Sequence, residues 1–272
     1  MIAAIGKVMV TNSQTCERTM RVAPGSRLVA TVVGVCLHVG VVSAAADYAR
    51  EQRWAAEIVP AIVVGEAVYL STPLQPRVLA LYTEVAQPKG GVIVVHGLGV
   101  HPDWGLVGGV RTGLADAGFA TLSMQMPVLA ATASRDDYTA LFPEAGERIA
   151  AAIAFLKGRG IDRIAIVSHS MGASMVNAYL ARPDAARIAA WVPIGMLIDV
   201  TAAPKEPVLD VTAEDDFPQV REARPRRPAQ LPRDACTKQT VIAGTDHYMA
   251  NRQQELVAAI VPFLQRVFAG SC

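Results

Sequence analysis

The stretch Ser-His-Ser-Met-Gly, residues 168–172, lies between an apolar run at residues 163–167 and a helix-forming run at residues 173–180. A strand, a tight turn that carries a serine and then a helix form the arrangement that exposes a serine hydroxyl as a nucleophile. The usual pattern is Gly-x-Ser-x-Gly, and here Ser168 replaces the first glycine. Because serine is also small, the pattern still predicts that Ser170 is a nucleophile. The alternative is an ordinary strand-to-helix turn.

Three other apolar segments lead into polar residues of the kind that a serine nucleophile needs. Residues 92–95 predict a buried strand that ends at His96, and residues 207–216 predict a strand that ends in carboxylates. Residues 240–246 predict a strand that ends at His247. The serine, the carboxylates and the histidine follow one another in the chain order of alpha/beta hydrolases, each at the carboxyl end of a strand.

A serine hydroxyl is a weak nucleophile at neutral pH and needs a base to accept its proton. That base needs a carboxylate to hold its tautomer and to stabilise the imidazolium. The sequence predicts Ser170 as the nucleophile and His247, which follows a strand, as the base. The alternative for His247 is a histidine in a surface loop.

The tetrahedral intermediate of acyl transfer carries an oxyanion that needs two hydrogen-bond donors. The candidate donors are the backbone N–H groups of Met171, directly after the serine, and Leu98, in the loop after His96. The alternative for this loop is a tight turn after a strand. It does not match the Gly-x-Gly-x-x-Gly pattern of a dinucleotide site. No Cys/His spacing predicts zinc, so neither a metal nor an organic cofactor is expected.

Strands that alternate with helices predict an α/β fold with a mostly parallel central sheet and helices on both faces. The chain has 272 residues and is 52% hydrophobic, which is enough for one sizeable core and short of two domains. A single domain is therefore predicted over residues 47–272. Ligands of such sheets bind at the carboxyl ends of the strands, where the candidate residues also lie.

Several local features carry further expectations. Asp103 is placed to cap the helix after the third strand, and residues 128–143 are predicted to form a polar loop over the site. Asp210, in the middle of a strand, is expected to be buried and structural. Residues 217–235 contain four prolines and five arginines and predict an irregular segment, read either as a basic patch for an anionic ligand or as a solvated surface.

The N-terminus has the pattern of a secretory signal peptide. Basic residues precede an apolar run at residues 28–42, and Ala44 and Ala46 form a small-residue cleavage site. The sequence predicts a signal peptide over residues 1–46, with Met20 as an alternative start, and a periplasmic or secreted location. The alternatives are an uncleaved anchor or a core helix, although the run is short for a membrane span.

Removing residues 1–46 leaves two cysteines, Cys236 and Cys272. An exported chain with an even number of cysteines commonly pairs them, so a disulfide across the C-terminal unit is predicted. The alternative is two free thiols at a frayed end.

The formal net charge is +1 for the whole chain, and losing four positive charges and one negative charge with the leader makes it −2. This balance indicates neither nucleic acid nor an acidic macromolecule as a partner. The expected partner is a small-molecule substrate, with no stable membrane span after the leader is removed. The oligomeric state stays open.

Residues 61–268 resemble the alpha/beta-hydrolase superfamily. Residues 96–104, 118–127 and 168–172 resemble more narrowly a bacterial family of exported alpha/beta hydrolases of unknown function. In these hydrolases a Gly-x-x-Asp turn ends the strand that carries the acid, and residues 213–216, Ala-Glu-Asp-Asp, are similar to it. This resemblance implies Asp216 as the acid, with Asp215 as the second candidate, and a fold that needs no cofactor.

Together the motifs predict a serine hydrolase of the carboxylic-ester type, which cleaves an ester, thioester or amide of a small molecule through an acyl-enzyme on Ser170. An inactive hydrolase-fold protein with a binding or cell-envelope role is the alternative, because this fold also occurs without catalysis. A peptidase is the third hypothesis, although the chain is short for an added cap domain. The sequence does not indicate the acyl group or the leaving group.

Overall fold

An eight-stranded sheet forms the centre of the computed structural model, which describes residues 45–201 and 203–272. Its strands in chain order are β1 (Glu66–Leu70), β2 (Val78–Thr83), β3 (Gly91–Val95), β4 (Ala120–Met124), β5 (Ile164–His169), β6 (Ala190–Ile194), β7 (Leu209–Asp215) and β8 (Lys238–Asp246). They lie across the sheet in the order β1-β2-β4-β3-β5-β6-β7-β8. Both pairings of β2 are antiparallel and the others are parallel, which confirms the predicted mostly parallel sheet.

Helices cover both faces of this sheet, as predicted. They are α1 (Tyr48–Ile58), α2 (Gly105–Asp116), α3 (Phe142–Gly158), α4 (Met171–Leu180), α5 (Pro218–Ala223) and α6 (Gln253–Phe268). Residues along β3 alternate between two apolar clusters, because successive side chains of a strand point to opposite faces. Ile93 and Val95 join the cluster that contains residues of α3 and α4, whereas Val92 and Val94 join the one with α2 and α6. The described residues belong to one domain.

The register of the parallel strands aligns the carboxyl ends of five strands at one edge of the sheet. Val95 pairs with Ser168, His169 with Ile194, and Asp215 with Asp246. The residues directly after these strand ends therefore lie side by side along the carboxyl edge of the sheet. They are His96, Ser170, Gly195, Asp216 and His247.

The expected helix cap at Asp103 was wrong. Helix α2 begins at Gly105 after Trp104, and no side chain caps it. The Asp103 carboxylate instead accepts hydrogen bonds from the buried Arg111, with Oδ1 2.8 Å from Nε and 2.7 Å from Nη2. Arg111 also donates to the carbonyl oxygen of Val64. The ion pair with Arg111 thus replaces the capping hydrogen bond that the sequence predicted for Asp103.

The Arg/Pro-rich segment is more regular than predicted, since residues 218–223 form α5 and Arg227–Gln230 a turn of 3₁₀ helix. Arg227 is 0% exposed and forms an ion pair with Asp210, with 2.7 Å between Nε and Oδ2. Arg227 also donates to the carbonyl oxygen of Met196. Asp210 is therefore the buried structural carboxylate that the sequence predicted. Arg227 therefore belongs neither to a solvated surface nor to a basic patch for an anionic ligand.

Residues 128–143 are only partly the predicted loop. Asp136–Leu141 form a turn of 3₁₀ helix, and α3 already begins at Phe142. The polar composition of the segment reflects its exposure, because Asp136 and Asp137 face solvent while Tyr138 and Leu141 are buried.

A buried charge cluster ties α1 to α3. Arg148 lies 3.0 Å from Glu51 and 2.5 Å from Glu144, and it also donates to the carbonyl oxygen of Gln125. Burial raises the pKa of Glu51 even though Arg148 opposes this shift. Removing either partner would leave an uncompensated charge in the core, so this cluster specifies how α1 docks.

The predicted signal peptide falls almost entirely on residues 1–44, which lie outside the described residues. The predicted mature start, Asp47, precedes α1 and accepts a hydrogen bond from the backbone N–H of Arg50 at 2.9 Å. Across residues 45–201 and 203–272, no helix combines the length and the apolar character that a membrane crossing requires.

Cys236 and Cys272 form a disulfide with 5.3 Å between their Cα atoms and a sequence separation of 36. It joins the segment before β8 to Cys272, four residues beyond the end of α6. The enclosed chain therefore contains β8, His247 and the whole of α6.

We expect reduction of this disulfide to lower the free energy of unfolding by about 3–4 kcal/mol, because a loop of this length regains conformational entropy in the unfolded chain. Urea denaturation of Cys236→Ser, Cys272→Ser and the double variant measures the loss. All three should match the wild-type protein under reducing conditions. Equal stability of the oxidised and reduced wild-type protein would contradict the expectation.

Candidate active site

A chain of hydrogen bonds joins the predicted nucleophile, base and acid. The Nε2 atom of His247 lies 2.8 Å from Ser170 Oγ, and its Nδ1 atom lies 2.6 Å from Asp216 Oδ1. All three residues are buried. Asp215, the second candidate for the acid, is exposed and is not in contact with His247.

The backbone holds Ser170 in a strained turn. Its φ of 53° and ψ of −119° lie outside the regions that non-glycine residues normally adopt, and its N–H donates to Ile194 at 2.8 Å. Gly172 permits this turn, because a Cβ atom there would lie 2.3 Å from the carbonyl oxygen of His96. The close approach of α4 to the end of β3 therefore requires a glycine two residues after the serine.

Ser168 has a specific partner at the position where a glycine is usual. Its Oγ accepts a hydrogen bond of 2.9 Å from the indole N–H of Trp191, and both residues are fully buried. Trp191 lies on β6, the strand next to β5. The serine therefore satisfies a buried donor that a glycine would leave without an acceptor.

Asp216 is surrounded by hydrogen-bond donors. Its Oδ2 accepts from the backbone N–H of Ala213 at 3.0 Å, and its Oδ1 accepts from the N–H of Phe217 at 2.9 Å as well as from His247. Burial raises the pKa of Asp216, but these donors outweigh burial and hold the pKa below its ordinary value. The carboxylate therefore stays ionised and fixes the proton of His247 on Nδ1.

His96 orients the loop that carries Leu98. Its Nε2 lies 2.8 Å from the backbone N–H of Met126, and its Nδ1 lies 2.8 Å from the carbonyl oxygen of Gly97. Because Nε2 accepts, Nδ1 carries the proton and donates to Gly97. Burial lowers the pKa of His96 to about 3, so the ring stays neutral. A trans peptide places its N–H opposite its carbonyl, so the Leu98 N–H points away from this ring.

The two candidate oxyanion donors border one cavity. Leu98 and Met171 line a cavity of about 190 Å³ together with Ser170. Neither of their N–H groups donates a hydrogen bond to any residue in 45–201 or 203–272. Two unused donors beside a serine hydroxyl are the feature that stabilises a developing oxyanion.

His169 contacts the site in a way that sequence reasoning missed. Its Nε2 donates to the carbonyl oxygen of His247 at 3.0 Å, and burial lowers its pKa to about 4. The two rings are 4.9 Å apart. Phe217 stacks on the other side of the His247 ring, with centroids separated by 4.0 Å. In the sequence, only its position directly before Ser170 indicates that His169 belongs to the site.

One protein family matches part of this chain. The model of a protein family of unknown function, DUF3530, matches residues 75–146. No curated protein matches the sequence.

Three solved structures illustrate the likeness. An alpha-beta serine hydrolase homologue from Coxiella burnetii is 14% identical, has a TM-score of 0.59 and aligns over 74% of this chain and 98% of its own. Est1E from Butyrivibrio proteoclasticus is 17% identical, with a TM-score of 0.57 over 75% and 99% of the two chains. A dienelactone hydrolase from Anabaena variabilis is 18% identical, with a TM-score of 0.58 over 75% and 96%. This protein therefore has the alpha/beta-hydrolase fold.

We expect Ser168→Ala to lower the free energy of unfolding by about 1–3 kcal/mol, because the buried Trp191 N–H loses its acceptor. In a Trp191→Phe background the same substitution should cost much less, since no donor is left unpaired. Chemical denaturation of the four proteins of this cycle gives the coupling between the two side chains. Additive effects of the two substitutions would show that the hydrogen bond contributes nothing.

Proposed function

We propose that this protein is a serine hydrolase that cleaves an ester, thioester or amide of a small molecule. The observation that carries the proposal is the buried Ser170–His247–Asp216 chain of hydrogen bonds, at 2.8 and 2.6 Å, beside two unused N–H donors. Structures named as a serine hydrolase homologue and as esterases have the same fold, at 14–17% identity, and so support a hydrolase in general terms.

The geometry suits each proton transfer of an acyl-enzyme mechanism. Ser170 Oγ attacks the carbonyl carbon while its proton passes to Nε2 of His247, the nitrogen that the Asp216 hydrogen bond leaves unprotonated. The carbonyl oxygen becomes an oxyanion that accepts from the N–H groups of Leu98 and Met171. When the intermediate collapses, the bond to the leaving group breaks and His247 returns the proton to that group.

Water completes the reaction by the same route in reverse. His247 removes a proton from the water as it attacks the acyl-enzyme. When the Ser170 ester bond breaks, His247 returns this proton to Ser170 Oγ and the acid leaves. The inactive alternative would require separated residues or a filled cavity. The short contacts and the cavity of about 190 Å³ beside Ser170 favour the hydrolase instead.

We expect a fluorophosphonate probe to label Ser170 in the wild-type protein, because an activated serine attacks phosphorus as it does a carbonyl. Ser170→Ala should abolish labelling. His247→Ala and Asp216→Asn should slow it by roughly 10⁴-fold or more, since both partners act as one unit with the serine. Gel fluorescence and peptide mass spectrometry measure the rate and the site.

Asp215→Asn provides the matched control, because it neutralises the exposed neighbouring carboxylate and should label at the wild-type rate. Folded wild-type protein that does not react would exclude an activated serine. The binding-protein alternative would then be preferred.

We also propose that the protein is exported and matures by cleavage after Ala46. The basic and apolar pattern of residues 18–42 supports this, as does the disulfide, which forms preferentially in oxidising compartments. When the full chain is expressed in a bacterium with a periplasm, N-terminal sequencing of the periplasmic protein should begin at Asp47. A start at residue 20 or earlier in that fraction would contradict the proposal.

A further inference from the structure

The cavity in front of Ser170 has apolar walls and one permanently charged group. Most of its lining residues present apolar or aromatic surface, among them Leu98, Val100, Trp104, Leu197, Phe217 and Tyr248. Arg135 is the one lining residue whose side chain is charged at every ordinary pH, and no carboxylate is among the lining residues that the structure describes. The fixed charge at the cavity is therefore positive.

The charge of Arg135 is poorly compensated. Its Nε lies 3.4 Å from Asp136 Oδ1, and the two side chains are 51% and 87% exposed. Ion pairs this long and exposed contribute little. The terminal guanidinium nitrogens make no hydrogen bond to the described residues. Arg135 thus retains a planar pair of donors that matches a carboxylate.

A second arginine adds to the positive potential from behind the loop that carries Leu98. Arg50 donates to the carbonyl oxygens of Gly99 at 3.1 Å and Leu129 at 2.7 Å, and it stacks on Trp54. These side-chain partners are neutral, and the Arg50 guanidinium pairs with no carboxylate in the described chain, although Asp47 accepts a hydrogen bond from the Arg50 backbone N–H. Asp216, the buried acid that is bonded to His247, does not line the cavity.

We propose that the substrate is a small acyl compound, preferably an ester, that carries a carboxylate a few bonds from the scissile carbonyl. The apolar walls hold its short carbon skeleton while Arg135 binds its carboxylate. The cavity of about 190 Å³ is smaller than a pocket for a drug-sized ligand, which favours a short skeleton. This substrate class rests on the serine hydrolase proposed above.

Two pairs of esters test whether charge is recognised and on which side of the reacting carbonyl. On the acyl side, the 4-nitrophenyl monoester of glutaric acid is compared with its neutral amide, 4-nitrophenyl glutaramate. On the leaving-group side, 4-carboxyphenyl butanoate is compared with 4-carbamoylphenyl butanoate. Each pair differs in charge while its size is nearly constant. Rates with Ser170→Ala are subtracted as the uncatalysed background.

The measured quantity is the ratio of kcat/KM for the anionic ester to that for its neutral partner. We expect a ratio of about ten or more in at least one pair, because a charge-assisted hydrogen bond to the anionic ester stabilises its transition-state complex by about that factor. Arg135→Gln should bring the ratio close to one, and Arg135→Lys should keep part of it. The ratio should also fall as salt is added, because the group is exposed.

Arg159→Gln is the matched control. It removes the same charge from an exposed position between α3 and β5, at the opposite edge of the sheet from Ser170, and should keep the wild-type ratio. Asp136→Asn should change the ratio only slightly, because the ion pair that it removes is long and exposed.

Each failure points to a different cause. A ratio near one in both wild-type pairs, or a ratio unchanged by Arg135→Gln, overturns carboxylate recognition while the hydrolase stands. Turnover of neither pair by protein that fluorophosphonate still labels at Ser170 also overturns this substrate class. Absence of both turnover and labelling overturns the serine hydrolase itself.

Discussion

The register of the parallel strands is the constraint on which the site depends. Five parallel strands end at the same edge of the sheet, and the residues that follow them include His96, Ser170, Asp216 and His247. A slip of one residue in β8 would turn His247 towards the other face of the sheet and away from Ser170. Such a slip would also bring the buried Ile242 of β8 to the side of the sheet on which Val241 is 46% exposed. Core packing and active-site geometry are thus set by the same register.

Several buried polar groups near the site form hydrogen bonds that rigidify it. Asp216 is held by two backbone amides, His96 bridges two loops, and Trp191 and Ser168 join neighbouring strands. Low dielectric strengthens these bonds and makes any unpaired member costly. The hydrogen bond from the Ser170 N–H to Ile194 and the close packing of Gly172 against His96 hold the strained backbone of Ser170 in place.

Much of the fold and part of the site could be predicted from the sequence, for a physical reason. Strand and helix periodicities are local, so the ends of β3, β5, β7 and β8 could be located and Ser170 and His247 expected to meet, while Asp216 was implied by the resemblance to alpha/beta hydrolases. Contacts between residues that are far apart in the sequence leave no periodic pattern from which they could be predicted. Arg148 finds Glu51 at a separation of 97 residues, and Arg227 finds Asp210 from within a segment that looked solvated. Asp103 shows the same limit, because a tertiary partner displaced its expected local role.

The disulfide has a consequence that concerns proteolysis. Cys236 and Cys272 close the last part of the chain into a covalent ring that contains β8, His247 and α6. The turn after β8 is the exposed part of this ring, with Tyr248 48% exposed. A protease that cut one peptide bond there would not release a fragment, because both new ends would remain attached through the ring. The proposed base and the helix behind it would stay tethered to the domain, and the nick would be visible only after reduction.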